Sequence, residues 1–226
     1  MSKYYEAYDN RYKQVHNMGL SWSLDTNTKI IKDMIIKYHL ENEKILEIGC
    51  GEGRDARYLL KNNYNLLAVD VSQEAINYCQ KYDIKYKEKY RVLDVLKDSL
   101  QDKYGFIYSV ACLHMLVLDD DRNKFYNFIY NHLEDNGYAL ILTMGDGTQE
   151  SKSDISKAYD NVKRIHQETN QEMKIAMTSC RIVNFETLLN EVTNNGFKII
   201  EYGITEIEKH FSNIMYIIVK KVLTNG

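Results

Sequence analysis

The 226-residue chain contains no proline. Beside abundant asparagine, lysine, isoleucine and tyrosine, this absence reads as a compositional bias, and it excludes any motif built on proline. Its four cysteines, Cys50, Cys79, Cys112 and Cys180, form no C-x-x-C pair and no metal-like spacing; they read as reduced and structural, and no metal site is expected. Apolar runs of about 18 residues are lacking, as is a charged-then-apolar N-terminal signal, which excludes a membrane span and makes a cytoplasmic protein the expectation. Excess positive charge is lacking too. With a net charge of −3 and a pI near 6.1, a long phosphate-tracking interface is not favoured, although a local basic patch stays open. What is present, 44% hydrophobic residues in 226, suffices for one good core, so residues 1–226 are expected to form a single domain.

The chain is organised around Ile45-Leu46-Glu47-Ile48-Gly49-Cys50-Gly51-Glu52-Gly53-Arg54-Asp55. A β-type run enters a turn with glycine at every second position, and a helical pattern follows. Glycine is needed there because the chain reverses sharply and lets a ligand approach the backbone more closely than a Cβ allows. A dinucleotide fingerprint has glycine at its first, third and sixth positions. Counted from Gly49 the third is Gly51, but the sixth is Arg54, which argues against NAD or FAD. The next apolar run, Leu66-Leu67-Ala68-Val69, ends in Asp70, whose carboxylate can fork onto a cis-diol.

The pattern E-x-G-x-G-x-G with that acid resembles motifs I and II of the class I S-adenosylmethionine-dependent methyltransferases, over roughly residues 40–222. The resemblance implies S-adenosylmethionine as cofactor. Glu47, Gly49, Cys50 and Gly51 would form the turn that cradles its methionyl part, and Asp70, with Val71 beside it, would take the ribose hydroxyls. Asp94 would take the adenine amino group while Val95 donates a backbone bond to the ring, and Ala111, at the end of the fourth strand, would line the site. It also implies an α/β fold: a Rossmann-like seven-stranded sheet of order 3-2-1-4-5-7-6, the last strand pair antiparallel, with helices on both faces.

Tyr4, Tyr5, Tyr8 and Tyr12 recur at helical spacing and precede Trp22. In this family an N-terminal arm often folds over the cofactor; residues 1–43 are the expected cap, with Tyr12 and Trp22 facing the ligand, and Ile30–Tyr38 reads as an amphipathic helix. Strands are expected at 64–69, 86–93, 106–111, 138–144, 197–207 and 214–222. Helices are expected at 55–61, 74–81, 122–133 and 185–195, the third opening on Asp119-Asp120-Asp121, which suits a helix N-terminus better than a metal. Residues 147–184 are the expected substrate-side elaboration, with 151–168 read as a surface helix.

His114 follows the fourth strand and is the candidate general base, because a pKa near 6.5 suits proton removal near neutrality. His166 and Arg181 are candidate substrate contacts, Arg181 for an acidic group. The motif (D/N)-P-P-(Y/F), which grips planar amides or amines in some branches, is absent. Gly53-Arg54-Asp55 and the tyrosine-tryptophan arm resemble the tellurite-resistance and thiopurine methyltransferases. The expected activity is therefore methyl transfer to an O, N or S atom of a small-molecule acceptor. The rivals are an RNA methyltransferase and a non-catalytic S-adenosylmethionine-binding regulator. Oligomeric state is left open.

Overall fold

The computed structural model describes residues 3–22, 27–166, 169–207 and 214–222. Its centre is a seven-stranded sheet whose order follows from alternating strands and helices. Strand β1 (Lys44–Ile48) lies between β2 (Asn65–Asp70) and β4 (Tyr104–Val110), and β3 (Tyr90–Val92) flanks β2. Beyond β4 come β5 (Leu133–Met144), β11 (Ile214–Lys221) and β10 (Phe197–Thr205). The five strands from β3 to β5 run parallel, whereas β11 is antiparallel to both β5 and β10. With β10 and β11 counted as the sixth and seventh main strands, this is the expected order 3-2-1-4-5-7-6.

Alternation along the strands builds two cores. Ile45, Leu66, Ala68, Phe106 and Tyr108 face α2 (Lys29–Lys37), α3 (Arg54–Lys61) and α4 (Gln73–Tyr82). Leu46, Ile48, Val69, Ile107 and Ile141 face α5 (Asp119–His132) and α6 (Phe185–Asn194). Because both faces are covered, the central strands are apolar throughout, as parallel sheets require. Helix starts are set locally: the Ser72 side chain accepts from Ala75 N–H to open α4, and Asn184 accepts from Thr187 N–H to open α6. The three acids at 119–121 occupy the first turn of α5, where the free amides and the helix dipole favour negative charge.

Two expectations are corrected. The third strand is three residues long, Tyr90–Val92, and the lysine-rich stretch Ile84–Lys89 before it forms tight 3-10 turns. At this edge only Tyr90 is buried, so nothing rewards extending the pairing. Residues 151–168 are not a helix. They carry β6 (Ser151–Lys152), a 3-10 turn at Ile155–Lys157 and β7 (Asn161–Ile165), which pairs antiparallel with β8 (Glu172–Ala176), while β6 pairs with β9 (Arg181–Ile182). The expected apolar stripe fails because Ile165 is 68% exposed. The hairpin instead buries Met173 and Ile175 of β8 against Val15, in the N-terminal helix α1 (Ala7–Asn17). The end of the expected helix, 167–168, and the polar turn at 208–213 lie outside the described residues.

A buried ion pair joins α5 to α6. Arg122 is 1% exposed; its Nε and Nη2 donate to the two carboxylate oxygens of Glu191 (2.7 and 2.6 Å), and Nη1 donates to the Leu113 carbonyl (3.0 Å). Removing one partner of such a pair strands a charge in the core. Glu191→Ala is expected to cost about 3–5 kcal/mol in urea unfolding; a loss below about 1 kcal/mol would mean that Arg122 is solvated in place.

Candidate active site

The turn after β1 is pinned by the end of β2: Gly49 and Cys50 N–H both donate to the Val69 carbonyl (2.8 and 3.0 Å). Gly51 has φ +52°, and a Cβ there would sit 2.6 Å from the Tyr12 hydroxyl. At Gly49, φ +75°, a Cβ would meet Cys112 at 2.8 Å. Both positions therefore need glycine for conformation and for space.

Asp70 holds the turn from the other side. Its Oδ2 accepts from Gly51 N–H and its Oδ1 from Ser72 N–H, both at 2.8 Å. A carboxylate has about four acceptor positions, so Asp70 keeps capacity toward the cavity that it lines. Burial raises its pKa, with the backbone donors opposing. Asp94 accepts from Leu96 N–H (3.0 Å), from Lys97 (2.7 Å) and from the Tyr5 hydroxyl (3.0 Å). Glu47 is buried and accepts from the Tyr108 hydroxyl (2.9 Å); burial and the nearby acid Asp55 push its carboxyl well up.

Helix α1 roofs these groups along two seams. Toward α4, Asp9 accepts from Ser72 Oγ and Glu74 N–H (2.7 and 2.9 Å), and His16 bridges Glu74 and Glu52 (2.7 and 2.8 Å). Toward β8, Arg11 donates to the carbonyls of Ala176 and Met177, and Gln14 accepts from Ala176 N–H. Trp22 N–H donates to Glu52 (2.8 Å). The cavity beneath α1 has a volume of about 540 Å³.

Glu47, Gly49, Cys50, Gly51, Asp70, Val71, Asp94, Val95, Ala111, Tyr12, Trp22, His114 and His166 all line that cavity. Ala111, at φ +52°, turns the chain out of β4 in a conformation that costs a non-glycine residue about 1 kcal/mol or more. His114 is 4% exposed, and its Nδ1 has no hydrogen-bond partner among the described residues. Burial, then the charges of Arg122 and Arg11, push its pKa down to about 4, so the ring is neutral near pH 7. Both His166 nitrogens are engaged, Nε2 with the Ser21 carbonyl (2.8 Å) and Nδ1 with the Thr169 hydroxyl (3.0 Å). Arg181 is not brought to the cavity wall: it donates to the Val117 carbonyl and Asp119. Sequence reasoning missed Tyr5, Arg11 and Glu52 as cavity residues. A cation at position 11 inside the tyrosine stripe was the one signal available for any of them.

A family model described as a methyltransferase domain matches residues 26–202, well over half of the chain. The chain belongs to that family. Among curated relatives, juvenile hormone acid O-methyltransferase of Bombyx mori is 30% identical over 117 residues, covering 49% of this chain and 41% of that protein. Ribosomal RNA small subunit methyltransferase A of Mycoplasmopsis synoviae (strain 53) is 28% identical over 150 residues, covering 63% and 57%. The chain thus spans about half the length of the curated relatives it matches. In fold it is similar to the Burkholderia thailandensis 1,6-didemethyltoxoflavin-N1-methyltransferase, crystallised with 1,6-didemethyltoxoflavin and S-adenosylhomocysteine: TM-score 0.71, 14% identity, 99% and 92% of the two chains.

The residues present fit S-adenosylmethionine. Gly51 presents bare backbone at the cavity wall, where a Cβ would strike the Tyr12 hydroxyl at 2.6 Å, Asp70 retains acceptor capacity for a diol, and Glu52, Asp55 and Asp70 outnumber Arg54 on that wall, which suits a sulfonium and an ammonium. Among the described residues no cluster suited to a metal ion occurs, and no helix is long and apolar enough to cross a membrane.

His16 makes the α4 seam sensitive to pH. Burial lowers its pKa, but bonds to Glu52 and Glu74 outweigh this and the net shift is upward. A raised folded value means that the stabilisation is complete below about pH 6.5 and is lost as pH rises through the folded pKa. Limited proteolysis within 7–17 is expected to quicken between about pH 6.5 and 8.5, whereas His16→Gln should remove that dependence; identical rates in wild type at both ends would refute it.

Proposed function

We propose that the protein transfers a methyl group from S-adenosylmethionine to an O, N or S atom of a small-molecule acceptor. The observation that carries this reading is one cavity that joins the glycine turn, Asp70 and Asp94 to His114, whose Nδ1 has no partner among the described residues, beneath α1. A volume of about 540 Å³ suits a cofactor with a small partner. The relatives named as small-molecule methyltransferases support the acceptor class, while the ribosomal RNA methyltransferase keeps an RNA acceptor as the competing outcome.

The cofactor, when bound, supplies a methyl carbon made electrophilic by its sulfonium. Asp70 and the Gly49–Gly51 turn then bind and orient, and Asp94 serves the adenine end if Tyr5 shares or yields its carboxylate. Residues 1–43 act as a lid that excludes water, and 147–184 supply the acceptor side through β8 and the 177–180 stretch. Positioning two reactants and excluding water is the main work of such a site. The neutral His114 ring can accept a proton, but a base of pKa about 4 is too weak to deprotonate a free hydroxyl or amine beforehand. It takes the proton as the acceptor atom gains positive charge, when the new bond is forming.

Calorimetric titration with S-adenosylmethionine and S-adenosylhomocysteine is the first test. Saturable binding of both, lost in Asp70→Ala, is expected; no binding by folded wild-type protein would sink the reading. Methyl-label transfer to a small-molecule panel and to total RNA then separates the acceptor classes. His114→Ala is expected to lower kcat about 10²–10⁴-fold with cofactor affinity kept. The acid limb owed to this residue should lie near pH 4 rather than near about 6.5; an acid limb near the ordinary histidine value would put the proton elsewhere.

A further inference from the structure

The charge in the cavity is divided. Acids outnumber the one cation on the glycine-turn side, where Arg54 is paired with Asp55 (2.8 Å), whereas Arg11 and Arg164 lie where β7 and β8 close the other side. Arg11 is 5% exposed. Its Nε and Nη2 donate to the Ala176 carbonyl (3.0 and 2.8 Å) and Nη2 to the Met177 carbonyl (2.6 Å), but Nη1 has only a long contact with the Tyr8 hydroxyl (3.4 Å). Its guanidinium carbon lies 4.8 and 4.9 Å from the ring centres of Tyr8 and Trp22. Among the described residues no carboxylate pairs with it.

A buried cation with no counter-ion costs several kcal/mol, and a neutral donor could hold two carbonyls without that cost. Burial lowers the Arg11 pKa; Tyr8 opposes this and the charge of Arg164 adds to it. The chain that carries Arg11's carbonyl partners continues to Ser179, whose hydroxyl donates to the Met115 carbonyl (2.6 Å), one residue from His114. Arg11 and His114 both line the cavity, and the field of Arg11 reaches the imidazole.

We propose that the acceptor carries an ionised carboxylate, which seats on the Arg11 guanidinium between Tyr8 and Trp22 with Arg164 on its outer side. The proposal rests on the methyl-transfer reading and names its substrate class. Stacking of the guanidinium between two rings leaves its Nη1 edge to meet an anion. A carboxylate there also offsets the Arg11 charge, the smallest of the three effects that lower the His114 pKa, while burial and Arg122 remain.

Trp22 is the chain's single tryptophan and reports on the site. Protein saturated with S-adenosylhomocysteine is titrated with cyclohexanecarboxylate and, separately, with cyclohexanecarboxamide, following Trp22 emission. The acid is expected to bind at least about tenfold tighter than the amide. Arg11→Met should bring the two within about twofold while affinity for S-adenosylhomocysteine stays within about threefold. Arg164→Gln, an exposed change, should weaken the acid about threefold at an unchanged Tm, and keeps the proposal testable should Arg11→Met fail to fold. Equal binding of acid and amide to wild type overturns the proposal and leaves the cofactor reading standing. A loss of about tenfold or more in S-adenosylhomocysteine affinity in folded Arg11→Met also overturns it, by placing the guanidinium on the cofactor's own carboxylate. Absence of any S-adenosylhomocysteine binding to wild type overturns both.

Discussion

The grip of one buried carboxylate on two backbone amides organises this molecule. Asp70 accepts from Gly51 on one side and Ser72 on the other, so it fixes the turn after β1 and the start of α4 in one motion. The donors are backbone groups that would otherwise be stranded at a loop and a helix N-terminus, and the burial of the acid makes each bond stronger than it would be in water. The roof docks on the same spot: Asp9 reaches over from α1 to the Ser72 hydroxyl and the Glu74 amide. Cofactor cradle, helix start and cover are thus referred to a single side chain.

The parts of this design that could be read in the sequence are those whose chemistry is contiguous. Strand, glycine turn and helix start follow one another within Ile45–Asp55, and Asp70 closes the next strand, so spacing alone carried them. The parallel sheet followed from the alternation of elements, and its order from the resemblance. The hairpin of β7 and β8 was not legible, because Ile155, Tyr159, Val162 and Ile165 repeat at intervals that a helix also permits, and the pairing partner lies beyond any local window. The third strand was overextended because Tyr86 and Val92 look alike in sequence, while only residues from Tyr90 onward meet β2. Arg181 could be judged a substrate contact because nothing local reveals that Asp119, 62 positions away, takes it. Arg11 and Tyr5 owe their places to contacts more than 80 positions distant, which no motif encodes.

Charge and burial are partitioned along the cavity in a way that separates two tasks. Acids gather where a cationic sulfonium fits, and their cost of burial is met by hydrogen bonds from Tyr108, His16, Trp22 and the backbone. On the far wall the buried groups are a neutral imidazole and a guanidinium, each with donor or acceptor capacity left over. A buried polar group in a native structure usually has a partner. His114 Nδ1, without a partner among the described residues, is an exception on a ring that lines this cavity.

The roof also fixes an order of assembly. Helix α1 precedes the whole sheet in the chain, yet its anchors on β8 lie 165 positions downstream, at the Ala176 carbonyl. Closing so long a loop is entropically expensive and yields nothing until the intervening sheet exists. The nascent chain therefore exposes an uncovered glycine turn and an unattached tyrosine-rich segment until most of the domain has been made. The β8 seam of the cover is therefore expected to close after the sheet it spans, although α1 precedes that sheet in the sequence.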